Sequence, residues 1–217
     1  MHSQQLHLPL QLESLAPHSA PVGMASRSRR PNGSRNKLEL GDAPAHDWYR
    51  FVLSFPPHLV RDYLGTFGVK PDDVVLDPFC GTGTTLVECK KLGIASVGFE
   101  AHPLAHFAAS TKTDWTPHPR ALLSHASRIA AAASSALAAQ GIDDIPVLKR
   151  QVLDPSELLA LPEESAKLLL KDSISPLPLH KTLVLLDCLA ENADPRSERH
   201  EKLALANALV NTIGNLH

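Results

Sequence analysis

The chain has 217 residues, 43% of them hydrophobic, and a formal net charge of −2. That is enough for one domain with a sizeable core; no apolar run is long enough to span a bilayer, and the charge argues against a chain-wide electrostatic grip on a polyanion. Three cysteines (Cys80, Cys89, Cys188) without metal-ligand spacing, and histidines scattered without pairing, predict neither a disulfide framework nor a metal site, and suit a reducing cytoplasm. The first residues are polar, so no secretory leader is expected.

Residues 1–45 lack hydrophobic periodicity and read as a mostly disordered leader. Within them Arg27, Arg29, Arg30, Arg35 and Lys37 form a basic stretch open to two readings, a phosphate-seeking arm or a solvated tail. Trp48, Tyr49, Phe51, Val52, Leu53 and Phe55 come next as the densest aromatic cluster of the chain. Pro56-Pro57 then opens a helical pattern through Leu59, Val60, Tyr63, Leu64 and Phe67 that stops at Gly68.

The most informative stretch is 73–100. Val74, Val75 and Leu76 make a short unbroken apolar run, which predicts a strand buried on both faces. A tight turn follows at Gly81 and Gly83. Thr85 with Glu88 three residues later reads as a capping box, and Gly93 stands where a helix stop belongs, with Leu86, Cys89 and Leu92 facing inward. A second strand, residues 95–99, ends at Glu100. The glycines leave backbone N–H groups open to a ligand at a helix N-terminus, and a carboxylate at the next strand tip can accept hydrogen bonds from ribose hydroxyls. No Gly-Lys-Ser/Thr follows, which excludes a Walker phosphate loop, and Leu86 at the third glycine position is poor for a dinucleotide fold.

The run Asp77-Pro78-Phe79-Cys80-Gly81-Thr82-Gly83-Thr84-Thr85 resembles the cofactor motif of S-adenosylmethionine-dependent DNA methyltransferases that act on exocyclic amino groups, adenine-N6 or cytosine-N4. The later Glu100-Ala101-His102-Pro103 departs from their Asn-Pro by a histidine. The resemblance implies a Rossmann-like α/β fold and S-adenosyl-L-methionine as cofactor. It also implies a binding set of Asp77, Pro78, Phe79, Cys80, Gly81, Gly83, Thr84, Glu100 and Ala101. Asp77, Phe79, Gly81 and Gly83 would surround the methionine part and Glu100 would hold the ribose. Residues 55–61 resemble the family's proline-started helix beside the cofactor carboxylate; a plain amphipathic helix covering the sheet is the other reading. Phe55-Pro56-Pro57-His58 echoes the family's catalytic tetrapeptide, but Phe55 lacks the side-chain oxygen that must accept from the amino group, and His58 is a weak stacker.

Beyond Glu100 the pattern predicts a short helix over 103–110, an extended stretch over 111–115, and an alanine-rich helix over 120–140 with Leu122, Ala126, Ile129, Ala133 and Leu137 on one stripe. From 141 onward the pattern is helical throughout: Leu158 to Leu170 broken at Pro162, then Leu179, Leu183, Leu186 and Leu189, then Leu203, Ala206, Leu209, Val210 and Ile213. Lys149, Arg150, Lys167, Lys171 and Lys181 read better as a solvated face than as a nucleic-acid surface. The expected organisation is a leader (1–45), an α/β S-adenosylmethionine-binding region (46–140) and a helical subdomain or insertion (141–217).

No Asp, Asn or Ser before Pro-Pro-aromatic occurs in the chain, so no catalytic residue is assigned, and only two strands are legible. The expectation is a partial methyltransferase fold that stops before its catalytic strands, with DNA as partner and a second chain completing the sheet as a further candidate. An RNA guanine-amino methyltransferase and a non-catalytic cofactor-binding scaffold are the alternatives.

Overall fold

The architecture is one β-α-β unit with helices laid against it. A computed structural model describes residues 40–51, 54–142, 155–168 and 173–213, all within one unit of the chain, Pro31–His217. The basic stretch at 27–37, Val52, Leu53, Lys149, Arg150 and Lys171 lie outside the described residues. Strands β1 (Val74–Asp77) and β2 (Ala95–Gly98) are parallel, paired from Val74 with Ala95 to Asp77 with Gly98, and α3 (Thr84–Lys91) crosses between them. This is the Rossmann-like α/β arrangement anticipated, here with a two-stranded sheet among the described residues.

The helix stops fall where glycine predicts them. In α2 (Pro57–Thr66), α3 and α5 (Pro119–Ala139) the N–H two residues past the cap returns to a carbonyl five residues back: Val69 to Leu64, Ile94 to Cys89, Ile142 to Leu137. Gly68, Gly93 and Gly141 make this turn possible by adopting positive φ. Val60, Leu64, Cys89 and Ile94 form the core between α2 and α3, with Val75 of β1 packed on it.

Only that face of β1 is covered. Val74 and Leu76 are 66% and 60% exposed, so the expectation of a strand buried on both faces is corrected. An apolar run is ambiguous about which sides are covered; here the second face, with Val97 and Phe99, has no helix against it among the described residues.

The capping box is also corrected. The residue preceding α3 is Gly83, with φ 85° and no side-chain cap, and Glu88 turns away from the helix start into complete burial. There Glu88 Oε1 meets His46 Nε2 at 2.7 Å and accepts from Lys91 Nζ at 2.9 Å, while Oε2 accepts from Arg61 Nη1 at 2.7 Å. Arg61 also grips both oxygens of buried Asp42, at 2.7 and 3.1 Å. Asp42 closes a short helical turn (Leu40–Asp42) that leads into α1, a single irregular turn at Ala43–His46. Residues 40–45, expected in the leader, therefore reach into the fold. Leu92, expected inward, is 46% exposed; the buried line of α3 is Val87, Glu88 and Cys89.

Helix α4 runs Pro103–Lys112, two residues past the expected end, so the extended stretch over 111–115 is not formed as anticipated. Thr111 and Lys112 are fully buried in its last turn, and Lys112 Nζ donates to the Tyr49 carbonyl at 3.2 Å. Tyr49, Ala108 and Leu203 pack together there, joining the 48–51 segment, α4 and α8 (Glu198–Ala208). On α5 the buried stripe is His125, Ile129, Ala133 and Leu137, packed against Val184, Cys188 and Leu189 of α7 (Pro176–Glu191). Of the expected α7 leucine stripe Leu189 is buried, while Leu186 is 36% exposed and His180, Val184 and Cys188 are buried beside it. Between Pro162 and residue 168 there is only the single turn α6 (Glu163–Ala166), in place of the longer helix anticipated. After α8 a π-helical turn, Leu209–Ile213, carries Val210 to the surface. All three cysteines are free and buried, and among the described residues no helix is long and apolar enough to cross a membrane.

Stability should depend on pH from both sides. Burial opposes the Glu88 charge, but hydrogen bonds from His46, Lys91 and Arg61 outweigh it and bring its pKa down from 4.5 to about 2; the Arg61 hydrogen bond lowers Asp42 as well. Those contributions are present above about pH 4.5 and are lost as pH falls toward 2. His125 Nδ1 lies 2.6 Å from Glu201, which raises its pKa above 6.5, so its contribution is complete below pH 6.5 and fades as pH rises through the raised value. Burial lowers Lys112 from 10.5 to about 8, the opposite sense: its penalty is relieved between pH 8 and 10.5. Thermal melts followed by circular dichroism should show Glu88→Gln flattening the acid limb, His125→Gln the fall above pH 6.5, and Lys112→Met the alkaline rise.

Candidate functional site

The residues between β1 and α3 fold into an elbow held by hydrogen bonds within the turn and to the neighbouring strand. The Asp77 side chain accepts from Phe79 N–H at 3.1 Å, starting the turn directly at the strand end. Phe99 N–H bonds the Asp77 carbonyl and Cys80 N–H the Phe99 carbonyl, both at 3.0 Å, so the strand pairing continues into the turn. Gly83 N–H then closes on the Cys80 carbonyl at 2.8 Å, and α3 begins.

Glu100 is brought to this elbow from the neighbouring strand. Its Oε2 accepts from Gly81 N–H at 3.0 Å and its Oε1 from His102 N–H at 2.7 Å. A carboxylate has about four acceptor positions, so two remain for other donors. Glu100 is half-buried, and Ala101 beside it is exposed. His102 precedes α4 and meets the Phe51 ring edge-on at 6.3 Å, placing the aromatic 48–51 segment next to the acid. Thr82 and Thr84 are buried, Pro78 is exposed, and Phe79 presents a ring that is 88% exposed.

The elbow is electronegative. Burial raises the Cys80 thiol, and the charges of Asp77 and Glu100 raise it further, so both carboxylates act on the same spot. Two carboxylates thus bring negative charge to the elbow. The raised thiol is also a poor nucleophile.

Two glycines have reasons that only the tertiary structure reveals. A Cβ on Gly83 would lie 3.0 Å from Ala109 of α4 while also requiring φ 85°. A Cβ on Gly98 would meet Leu86 at 2.7 Å and Cys80 at 2.9 Å. Gly98 was absent from the expected set, although a glycine inside a strand pattern signals close approach of another group. Ala109, the wall behind Gly83, carries no local signal at all. Gly81 differs from both, since a Cβ there would project into open space. Two surface concavities elsewhere, one of about 380 Å³ between α5 and the end of α7, include no residue of the elbow. Among the described residues no group of three or more His, Cys, Asp or Glu could hold a metal ion.

A glycine elbow at a helix N-terminus, with an acid from the adjacent parallel strand turned onto it, defines the Rossmann-like class of ligand-binding unit. Residues 26–109 match the model of the family described as DNA methylase, so this region is similar to that family. It is 40% identical over 68 residues to the type II methyltransferase M.BsoBI of Geobacillus stearothermophilus, covering 31% of this chain and 13% of that protein. It is 38% identical over 68 residues to the type II methyltransferase M.MjaII of Methanocaldococcus jannaschii, covering 31% and 12%. A tRNA (guanine(10)-N2)-dimethyltransferase of Methanothermobacter thermautotrophicus is 47% identical over 45 residues, covering 21% and 13%. The matched stretch thus spans only about an eighth of the length of these relatives. No solved structure matches.

The two elbow glycines should separate by mutation. Gly83→Ala combines a left-handed backbone with the Ala109 contact and should lower stability by about 2–3 kcal/mol. Gly81→Ala meets only the backbone penalty, about 1–2 kcal/mol. Denaturant melts of the two variants check the order.

Proposed function

We propose that this chain supplies the S-adenosyl-L-methionine site of a site-specific DNA methyltransferase acting on adenine-N6 or cytosine-N4. The observation that carries this reading is the Glu100 carboxylate bound to Gly81 N–H across neighbouring strands, in an elbow whose charges suit a sulfonium rather than a phosphate. The residues fit the cofactor. Glu100 keeps acceptor positions for two ribose hydroxyls, the space over Gly81 is open, and Phe79 offers a bare aromatic face to a positive centre. Asp77, Pro78, Phe79, Cys80, Gly81, Gly83 and Thr84 would line the methionine side, and Glu100 and Ala101 the adenosine side.

The bound cofactor supplies a methyl group already activated for direct transfer to an amino nitrogen. The chain's own task is placement: Glu100 orients, the Gly81 and Gly83 backbone allows close approach, and Asp77 adds favourable charge. No side chain is assigned to the reacting nitrogen, and the buried cysteines have no covalent role. DNA is the proposed partner, with a second polypeptide completing the sheet, in the reducing cytoplasm that three free cysteines suit. The likeness to the tRNA guanine dimethyltransferase supports RNA as the second reading.

Calorimetry with S-adenosylmethionine tests the site. Wild type should bind, and Glu100→Ala should lose about 2–3 kcal/mol, roughly 30- to 150-fold in affinity, for the charge-assisted hydrogen bonds removed. Methyl transfer to DNA and to tRNA, assayed side by side, separates the two substrates. Cofactor binding without transfer to either favours a scaffold, and absence of binding by the wild type removes the proposal.

A further inference from the structure

We infer that the buried charge knot around Glu88 is a positioning device for the elbow, setting where Gly81 and Gly83 stand although none of its members touches the ligand site. For its effect on affinity this rests on the cofactor reading above; for its effect on geometry it does not.

The knot joins three segments: Asp42 and His46 from the chain before α2, Arg61 from α2, and Glu88 and Lys91 from α3. Lys91 Nζ also lies 3.7 Å from Asp42, so every charge in the knot faces at least one of opposite sign. Helix α3 has only eight residues, and Glu88 stands in its second turn. Val87 N–H bonds the Gly83 carbonyl at 2.9 Å, so movement of that turn passes directly to the elbow. The apolar contacts between α2 and α3, Val60 and Leu64 against Cys89 and Ile94, are not directional and tolerate a small slide. The Arg61 fork is directional, with two bonds to Asp42 and one to Glu88. On the opposite side Ala109 bars Gly83 from moving toward α4. The elbow therefore stands between a steric wall and an electrostatic anchor.

Stability alone is a weak reason for such a knot, since buried ion pairs often contribute no more than apolar residues of the same volume. Their contribution here is to fix relative position.

The test uses ¹⁵N-labelled full chain as wild type, Glu88→Gln, Arg61→Lys and Asp42→Asn, each at a temperature where circular dichroism shows it folded. The readouts are the Gly81 and Gly83 amide resonances without ligand, and calorimetry with S-adenosylhomocysteine. Glu88→Gln should shift both glycine amides and weaken binding roughly tenfold, as small misplacements of a binding group do. Arg61→Lys, which keeps the charge and loses the fork, should fall between it and wild type. Folded Glu88→Gln with unchanged glycine amides and unchanged affinity, its melting temperature alone reduced, overturns the inference. Should wild type bind no ligand, the cofactor reading fails while the glycine amides still decide the positioning role. Should Glu88→Gln not fold, Arg61→Lys and Asp42→Asn decide it by the same two readouts.

Discussion

A carboxylate with no exposure to water must be surrounded by donors, and Glu88 recruits its donors from distant parts of the chain. It draws His46, Arg61 and Lys91 to one point, and Arg61 brings Asp42 with it. Three pieces of chain, reaching from Asp42 to Lys91, are held in one arrangement by a charge that cannot return to solvent unaided. The glycine elbow is attached to that arrangement through the first turns of α3, where Val87 N–H bonds the Gly83 carbonyl.

A second carboxylate, Glu100, has a different role. It is half-buried, bound by two backbone N–H groups, and retains free acceptor positions. Glu88 is fully buried among three side-chain partners, whereas Glu100 is half-buried and held by two backbone N–H groups. Their environments, rather than their chemistry, separate the two acids. The elbow between them carries two acids, Asp77 and Glu100, and an exposed aromatic ring, Phe79.

The β-α-β unit has one protected and one bare face. On the protected side Val75 joins the α2–α3 core; on the other, Val74, Leu76, Val97 and Phe99 remain open. The helices after Glu100 are continuous with this unit among the described residues, because Lys112 and Ala108 of α4 meet Tyr49 and Leu203. The 48–51 segment thereby reaches both the α8 core and, through Phe51 and His102, the neighbourhood of Glu100.

Legibility in the sequence tracked the range of the forces. The glycine stops at 68 and 93, the proline starts of α2 and α4, and the elbow from Asp77 to Thr84 are set by backbone sterics within a few residues, and each stands close to its expected place. Strand pairing of 74–77 with 95–98 accords with the spacing of a βαβ unit. The burial of His180 and Val184 on α7, the single covered face of β1, the burial of Lys112 and the turning of Glu88 from cap to core were not legible. Each depends on which distant side chain arrives opposite: Val184 and Cys188 are buried because α5 lies there, and Glu88 leaves the helix start because His46 and Arg61 offer it partners at hydrogen-bond distance. Local pattern by itself determined the elbow, the acid after it and the elements on either side. The tertiary structure alone decided how the elbow is anchored and that its wall is Ala109, because burial and ion pairing are properties of neighbours in space that no short stretch of chain contains.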